Sequence, residues 1–233
     1  MKAQKKLTQN EINKIIKEHE KWYLDHNKGK RADLSDTDLS SLDLSDVNLS
    51  EAIIRRANLN NTNLNGTNLS YADLAVTTFI NADLRNADLS ETNLTKTDFS
   101  NANLQHANLS YTNLTGAELI EAYLSYTNLS NAVLNADFNR AILRNAILYN
   151  ADLRYAGLDN ADLCYADLNK ADLSEAYLIG ANLACSDLSN AIFHKTKLLG
   201  ATLFMANLTE AIISDTDFSN TFLLNTKISK NKK

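Results

Sequence analysis

The chain is 233 residues long, with 23 Lys and Arg against 28 Asp and Glu, a formal net charge of −5 at pH 7, no Pro and six Gly. This composition leaves no flexible linker, and its two cysteines, Cys164 and Cys185, form no Cys-x-x-Cys, so neither a disulfide framework nor a zinc site is suggested. No apolar run approaches the roughly 18 residues that span a membrane, and the Lys-rich start lacks the apolar stretch of a secretory signal, so a cytoplasmic protein with no membrane partner is expected.

Residues 1–31 form the first unit, with nine Lys and Arg against four Asp and Glu. Thr8-x-x-Glu11 reads as a capping box. Ile12, Ile15, Ile16, His19 and the pair Trp22/Tyr23 continue at helical spacing, and Gly29 is a stop shortly past the end. The pattern predicts a helix over about 9–26 whose apolar face closes the N-terminal end of the second unit.

That second unit runs from Ala32 to Ile228, where five residues repeat, as in Ala32-Asp33-Leu34-Ser35-Asp36 and Thr37-Asp38-Leu39-Ser40-Ser41. A large apolar residue, the centre, recurs every fifth position from Leu34 to Leu134 and again from Phe138 to Ile228, giving 21 plus 19, or 40 repeats. Of these, 32 centres are Leu, five Phe and three Ile, and two positions earlier 38 of 40 residues are Ala, Thr or Ser. One large and one small inward position alternate with polar outward ones, which is strand-like over three residues. A period of five and not two means that the chain turns a corner once per repeat. Leu34, Leu59, Leu84, Leu109, Leu163 and Leu183, with Phe79, Phe99, Phe138, Phe193 and Phe218, are expected in the core ladder.

On these repeats, residues 32–228, or about 85% of the chain, the sequence resembles the pentapeptide repeat family. The resemblance implies an all-β solenoid: a right-handed quadrilateral β-helix with four repeats per coil, residues 20 apart stacked, and about ten coils. At the strand spacing such a rod is roughly 45–50 Å long. The stretch from Lys17 through Trp22 and Gly29 to Leu34 also resembles a leader found on many bacterial members, which supports an N-terminal capping α-helix.

Leu134-Asn135-Ala136-Asp137-Phe138 is one residue short, so a local irregularity is expected there, with the coil continuing beyond it. Around it the residue before the centre turns apolar, at Tyr123, Val133, Ile142 and Ile147. These positions face outward as local repacking or as a partner patch. In the last coils Leu199, Phe204, Met205, Ile212, Phe222 and Leu224 are apolar at outward positions, which predicts a homodimer through the C-terminal coils, as the resemblance implies for some members. Residues 229–233 read as a basic tail.

Nothing here reads as an active site. The outward positions form flat, solvated ladders. His19 and His26 lie a heptad apart on the predicted helix, and His106 and His194 are isolated, so no metal or cofactor is expected. Residues 32–228 hold eleven Lys and Arg against twenty-four Asp and Glu, which argues against direct nucleic-acid binding and for partners with basic surfaces. Fourteen of those acids are Asp immediately before a centre, where turn hydrogen bonding also explains them. The expected function is a non-catalytic protein-interaction scaffold for an unknown protein partner. Tyr71 with Tyr111, and Tyr126 with Tyr165, are paired two coils apart as anchors. The alternative, implied by the resemblance, is a DNA-mimicking regulator of a type II topoisomerase such as DNA gyrase.

Overall fold

The computed structural model describes residues 4–228, and the basic tail read at 229–233 lies outside them. The residue before each centre forms a parallel bridge with its counterpart one coil on: Asp33 with Ile53, Asp38 with Asn58, Asp43 with Asn63 and Asn48 with Asn68. Four ladders, numbered here first to fourth in that order, therefore run along a four-sided rod. They lengthen into named strands only near the ends. β1 (Lys5–Lys6) pairs with β2 (Thr37–Asp38), β3 (Ile192–His194) with β5 (Ile212–Ser214), and β4 (Asn207–Leu208) with β6 (Lys227–Ile228).

The corners arise from two hydrogen bonds. The amide three residues past a centre donates to the centre's carbonyl, as Ala52 does to Leu49 and Thr62 to Leu59, closing a β-turn. The last turn residue then sits in left-handed backbone, at φ 57° for Asp36, 57° for Asn61 and 59° for Tyr71, and thirty-four non-glycine residues adopt it. Each costs about 1–2 kcal/mol against a right-handed residue, so the ladders must hold the corners in place. They do so through bonds such as Asp36 N–H to Arg55 O at 2.9 Å.

The inward alternation has its own logic. Every centre from Leu34 to Leu208 is buried, and the small residue two positions earlier lets the corner close over it. Where that residue is Thr, its hydroxyl can donate to the centre carbonyl of the coil below, as from Thr77 to Ile54 at 2.6 Å and from Thr127 to Leu104 at 2.8 Å. A buried hydroxyl so placed is partnered.

The N-terminal end is covered by α1 (Gln9–Leu24), whose N-cap Thr8 and N3 residue Glu11 form a capping box. The Thr8 amide and hydroxyl hold the Glu11 carboxyl below its ordinary range. Ile12 and Ile16 are buried in the same cluster as Leu34 and Leu39, and Ile15 packs on it half-buried. Tyr23 turns outward, 40% exposed, because it lies one residue past the inward stripe that ends at Trp22. The helix stops at Leu24 and not near 26, since Asp25 is extended and Lys28 N–H turns back onto its carbonyl. The chain then doubles back at Gly29 (φ 63°), where a Cβ would stand 2.1 Å from Glu18 O. β1 adds a partial coil beneath the first, with Leu7 N–H on Asp38 O and its side chain buried.

Between Leu134 and Phe138 the ladders step by 19 residues, Glu118 to Asp137 and Val133 to Asp152, and return to 20 at Asp137 and Gly157. The missing residue comes from the corner. Ala136 N–H donates to Leu134 O at 2.7 Å, so a three-residue γ-turn replaces the β-turn and no residue there takes the left-handed conformation. Ala136 still points inward, and Phe138 is fully buried.

Among the described residues no element covers the far end. In the last coil Ile213 is 37%, Leu223 38% and Ile228 53% exposed. Phe218, expected as a core residue, is half-buried on the edge of the core, because no coil among the described residues covers it.

Candidate interaction surfaces

Much of the acidity is structural. All fourteen Asp residues that precede a centre accept a hydrogen bond from the backbone N–H two residues on, from Asp33 with Ser35 to Asp217 with Ser219. These Asx turns shape the corners. Asn at the same position extends them between coils, as Asn63 Nδ2 donates to Asp43 at 2.9 Å and Asn207 Nδ2 to Asp187 at 3.0 Å. The Ser45 hydroxyl and amide, joined by the Asn63 amide, hold the Asp43 carboxyl below its ordinary range. Arginines break the potential further. Arg56 pairs with Asp36, Arg85 with Asp83 and Arg154 with Asp152, each at 2.6 Å, Arg144 with Asp162 at 2.5 Å, and Arg140 with Glu121 at 3.1 Å.

Apolar and aromatic side chains occupy separate places on this polar lattice. At the open end the Phe204 and Phe222 rings stack at 6.1 Å, and Met205 N–H donates to Leu224 O, so these four cluster along one edge. Leu199 sits on another corner and Ile212 on the first ladder, beside Ile192. The four apolar residues around the short corner do not form one patch. Tyr123 and Ile142 stack on the third ladder, Ile147 lies on the fourth and Val133 on the first. Each five-residue step turns the chain through a corner, so neighbours in sequence face different ways. Tyr123 and Ile147 are exposed, whereas Val133 and Ile142 are half-buried. Of the paired tyrosines, Tyr71 Oη donates to Glu91 at 2.6 Å and Tyr126 stacks on His106 at 5.0 Å.

A family model described as pentapeptide repeats matches eight copies over residues 97–135, 135–169, 156–194 and 171–204. A second, described as a pentapeptide repeat region, matches residues 32–109. The chain belongs to the pentapeptide repeat family. Members of it fold as right-handed quadrilateral β-helices. Among solved structures, HetL from Nostoc sp. strain PCC 7120, a pentapeptide repeat protein involved in heterocyst differentiation regulation, is 30% identical over 84% of this chain and 89% of its own, with a TM-score of 0.41. Full-length QnrB1, a plasmid-mediated fluoroquinolone resistance protein, is 18% identical over 83% of this chain and 94% of its own, with a TM-score of 0.41. Rfr23 from the cyanobacterium Cyanothece 51142 is 37% identical over 41% of this chain and 61% of its own, with a TM-score of 0.27. The search of curated proteins returned no significant match.

Among the described residues, no three His, Cys, Asp or Glu side chains are grouped to hold a metal, and no helix is long and apolar enough to cross a membrane. Burial pushes the Cys164 thiol up, away from thiolate chemistry. His194 Nδ1 lies 2.9 Å from Ser214 Oγ, and His26 packs on Trp22. His19 is the exception: it is fully buried and bonded at both ring nitrogens, a role the helical pattern read only as apolar. Sequence reasoning also passed over Gly116, Tyr155, Gly157 and Tyr177, which line a cleft beside the short corner. Writing the chain in rows of 20 residues brings these positions close together.

Proposed function

We propose that the chain is a non-catalytic protein-interaction scaffold: a rod of ten coils, sealed by α1 at its N-terminal end and self-associating through its C-terminal coils. The observation that carries this reading is the contrast between the ends. Core centres are fully buried under the helix and up to half exposed in the last coil, where Phe222 and Leu224, with Met205 and the half-buried Phe204 one coil below, continue the apolar surface around the edge. Contiguous exposed apolar surface of this kind marks an interface. A second copy applied to the open end would cover Ile213, Phe218, Leu223 and Ile228 together. Light scattering is expected to give twice the mass of the chain at tens of micromolar, and Phe222→Glu with Leu224→Glu to give the monomer. A monomeric wild type under those conditions removes the dimer.

The DNA-mimicking alternative needs a continuous acidic stripe. The ion pairs of Arg56, Arg85, Arg140, Arg144 and Arg154 interrupt it, and corner bonding accounts, without a partner, for fourteen of the carboxylates, although they keep their charge. Titration into a gyrase supercoiling assay, with and without a fluoroquinolone, tests the choice. No effect is expected at tens of micromolar protein. Inhibition or drug protection at low micromolar protein would overturn the scaffold reading in favour of mimicry.

A further inference from the structure

The short corner carves a cleft into the rod. Three successive side chains are missing where the lattice would supply them. The corner between the first and second ladders has Gly116 at one level, and at the next the γ-turn leaves out the last corner residue altogether. One level further, the second ladder has Gly157, where its other rungs carry side chains, from Glu118 and Asp137 below to Tyr177 above. The result is an open cleft of about 480 Å³. Glu118 and Asp137 lie on adjacent rungs, Ile120 and Asn139 line one side and Tyr155 the other, and Tyr177 stands at the upper end, two rungs above Asp137. Tyr155 Oη lies 3.5 Å from Glu175.

The charges in and around the cleft are unequal. Asp98, Glu118 and Asp137 are consecutive rungs of the second ladder, and among the described residues no Lys, Arg or His makes an ion pair with any of them. Arg140, on the neighbouring corner, is engaged by Glu121, and Lys96 borders the notch one level below Gly116. Tyr177 is shared with a second cleft of about 280 Å³, lined by Ile179, Leu198 and Leu199 and by Lys197 and Asp217, the next two rungs of the second ladder. One groove thus passes from carboxylates with no ion-pair partner, past Tyr155 and Tyr177, to a pocket walled by Ile179, Leu198 and Leu199. Carboxylates beside aromatic faces attract a cation that apolar stems accompany.

We propose that this groove docks an extended segment of a partner protein that presents a lysine or arginine and, four residues later, an apolar side chain. From Asp137 to the level of Leu199 is three rungs, roughly 14 Å at the strand spacing, which residues i and i+4 of an extended chain span on one side. The inference rests on the scaffold reading and names the chemistry of one partner surface.

The probe is a fluorescein-labelled twelve-residue peptide with Arg and, four residues on, Leu in a Gly/Ser/Thr background, titrated with the full chain by fluorescence anisotropy. Saturable binding is expected, and it weakens as salt rises toward about 0.5 M. Replacing the peptide's Arg by Gln or its Leu by Ser weakens it about tenfold, as does Glu118→Gln with Asp137→Asn. Gly157→Leu fills the cleft at a position where a Cβ meets only Asp137 and Asn139 side-chain atoms at 3.3–3.4 Å. It blocks the peptide while the melting curve of the protein stays in place. Binding that ignores these protein variants, binding equal for the Gln peptide, or no saturation up to millimolar protein overturns the proposal. Each of those results leaves the dimer and gyrase measurements to decide the scaffold reading on their own.

Discussion

Phe99→Ala is expected to cost about 3–5 kcal/mol, at the upper end for a single core truncation. Phe99 is fully buried and its ring lies parallel to Phe79 one coil below, with centroids 4.9 Å apart at 6°. The cavity left by alanine cannot close, because the coil spacing is set by backbone bonds: Phe99 N–H to Glu118 O and Phe79 N–H to Asp98 O, both 2.7 Å. Collapse in the core would break a ladder on the surface. Phe99→Leu, which restores the commonest centre, recovers most of the loss. Chemical denaturation measures the size of the effect. Hydrogen exchange of the Phe79 and Phe99 amides shows whether the middle coils open first, as nearest-neighbour coupling in a solenoid requires. A loss below about 1 kcal/mol would mean that the coils slide to fill the gap.

The second large effect belongs to the cap. Ala32 N–H donates to His19 Nδ1 at 3.1 Å, so the ring proton resides on Nε2, which donates to Ser50 O at 3.0 Å. One imidazole thereby ties the helix to both the first repeat and the end of the first coil. Its burial pushes the imidazolium below the ordinary histidine range. The Ser50 carbonyl and the Glu51 and Glu20 carboxylates oppose that shift, and Arg31 adds to it. A neutral folded ring against a protonatable unfolded one gives stability that is complete above about pH 6.5. That stability is lost as pH falls below it, at up to about 1.4 kcal/mol per pH unit until the folded ring titrates. His19→Phe is expected to remove this pH dependence and to cost about 2–5 kcal/mol at pH 7.5, since two buried backbone groups lose their partner. Thermal melts between pH 7.5 and 5 check both. A wild type whose melting point does not fall over that range would show that the ring accepts its second proton in place.

The solenoid was legible because its signal is redundant: forty centres and their small companions repeat one statement, and a misread unit changes nothing. The features that occur once were harder. β1 is two exposed lysines with no pattern to mark it. His19 shares the spacing of an apolar stripe, and only its position between two backbone groups reveals a polar role. Tyr123, Val133, Ile142 and Ile147 suggest one patch only when sequence proximity is equated with spatial proximity. In a four-sided coil, residues five apart stand on adjacent sides and residues 20 apart on the same one. The cleft needed that second metric, since Gly116 and Gly157 become neighbours only when the chain is read coil by coil.

The γ-turn at Leu134–Ala136 also says something about how such a rod can change. The residue lost there lies between a centre and the next inward alanine, in the corner, whose side chains lie outside the core. Its loss left Phe138 in the core and the ladders in step on either side. One lost between the small residue and the centre would have turned the inside out for the remainder of the coil. Length variation is therefore tolerated at corners and punished on the sides. The outer relief of this fold can be recut by single-residue deletions, as well as by substitution, while its interior goes on unaltered.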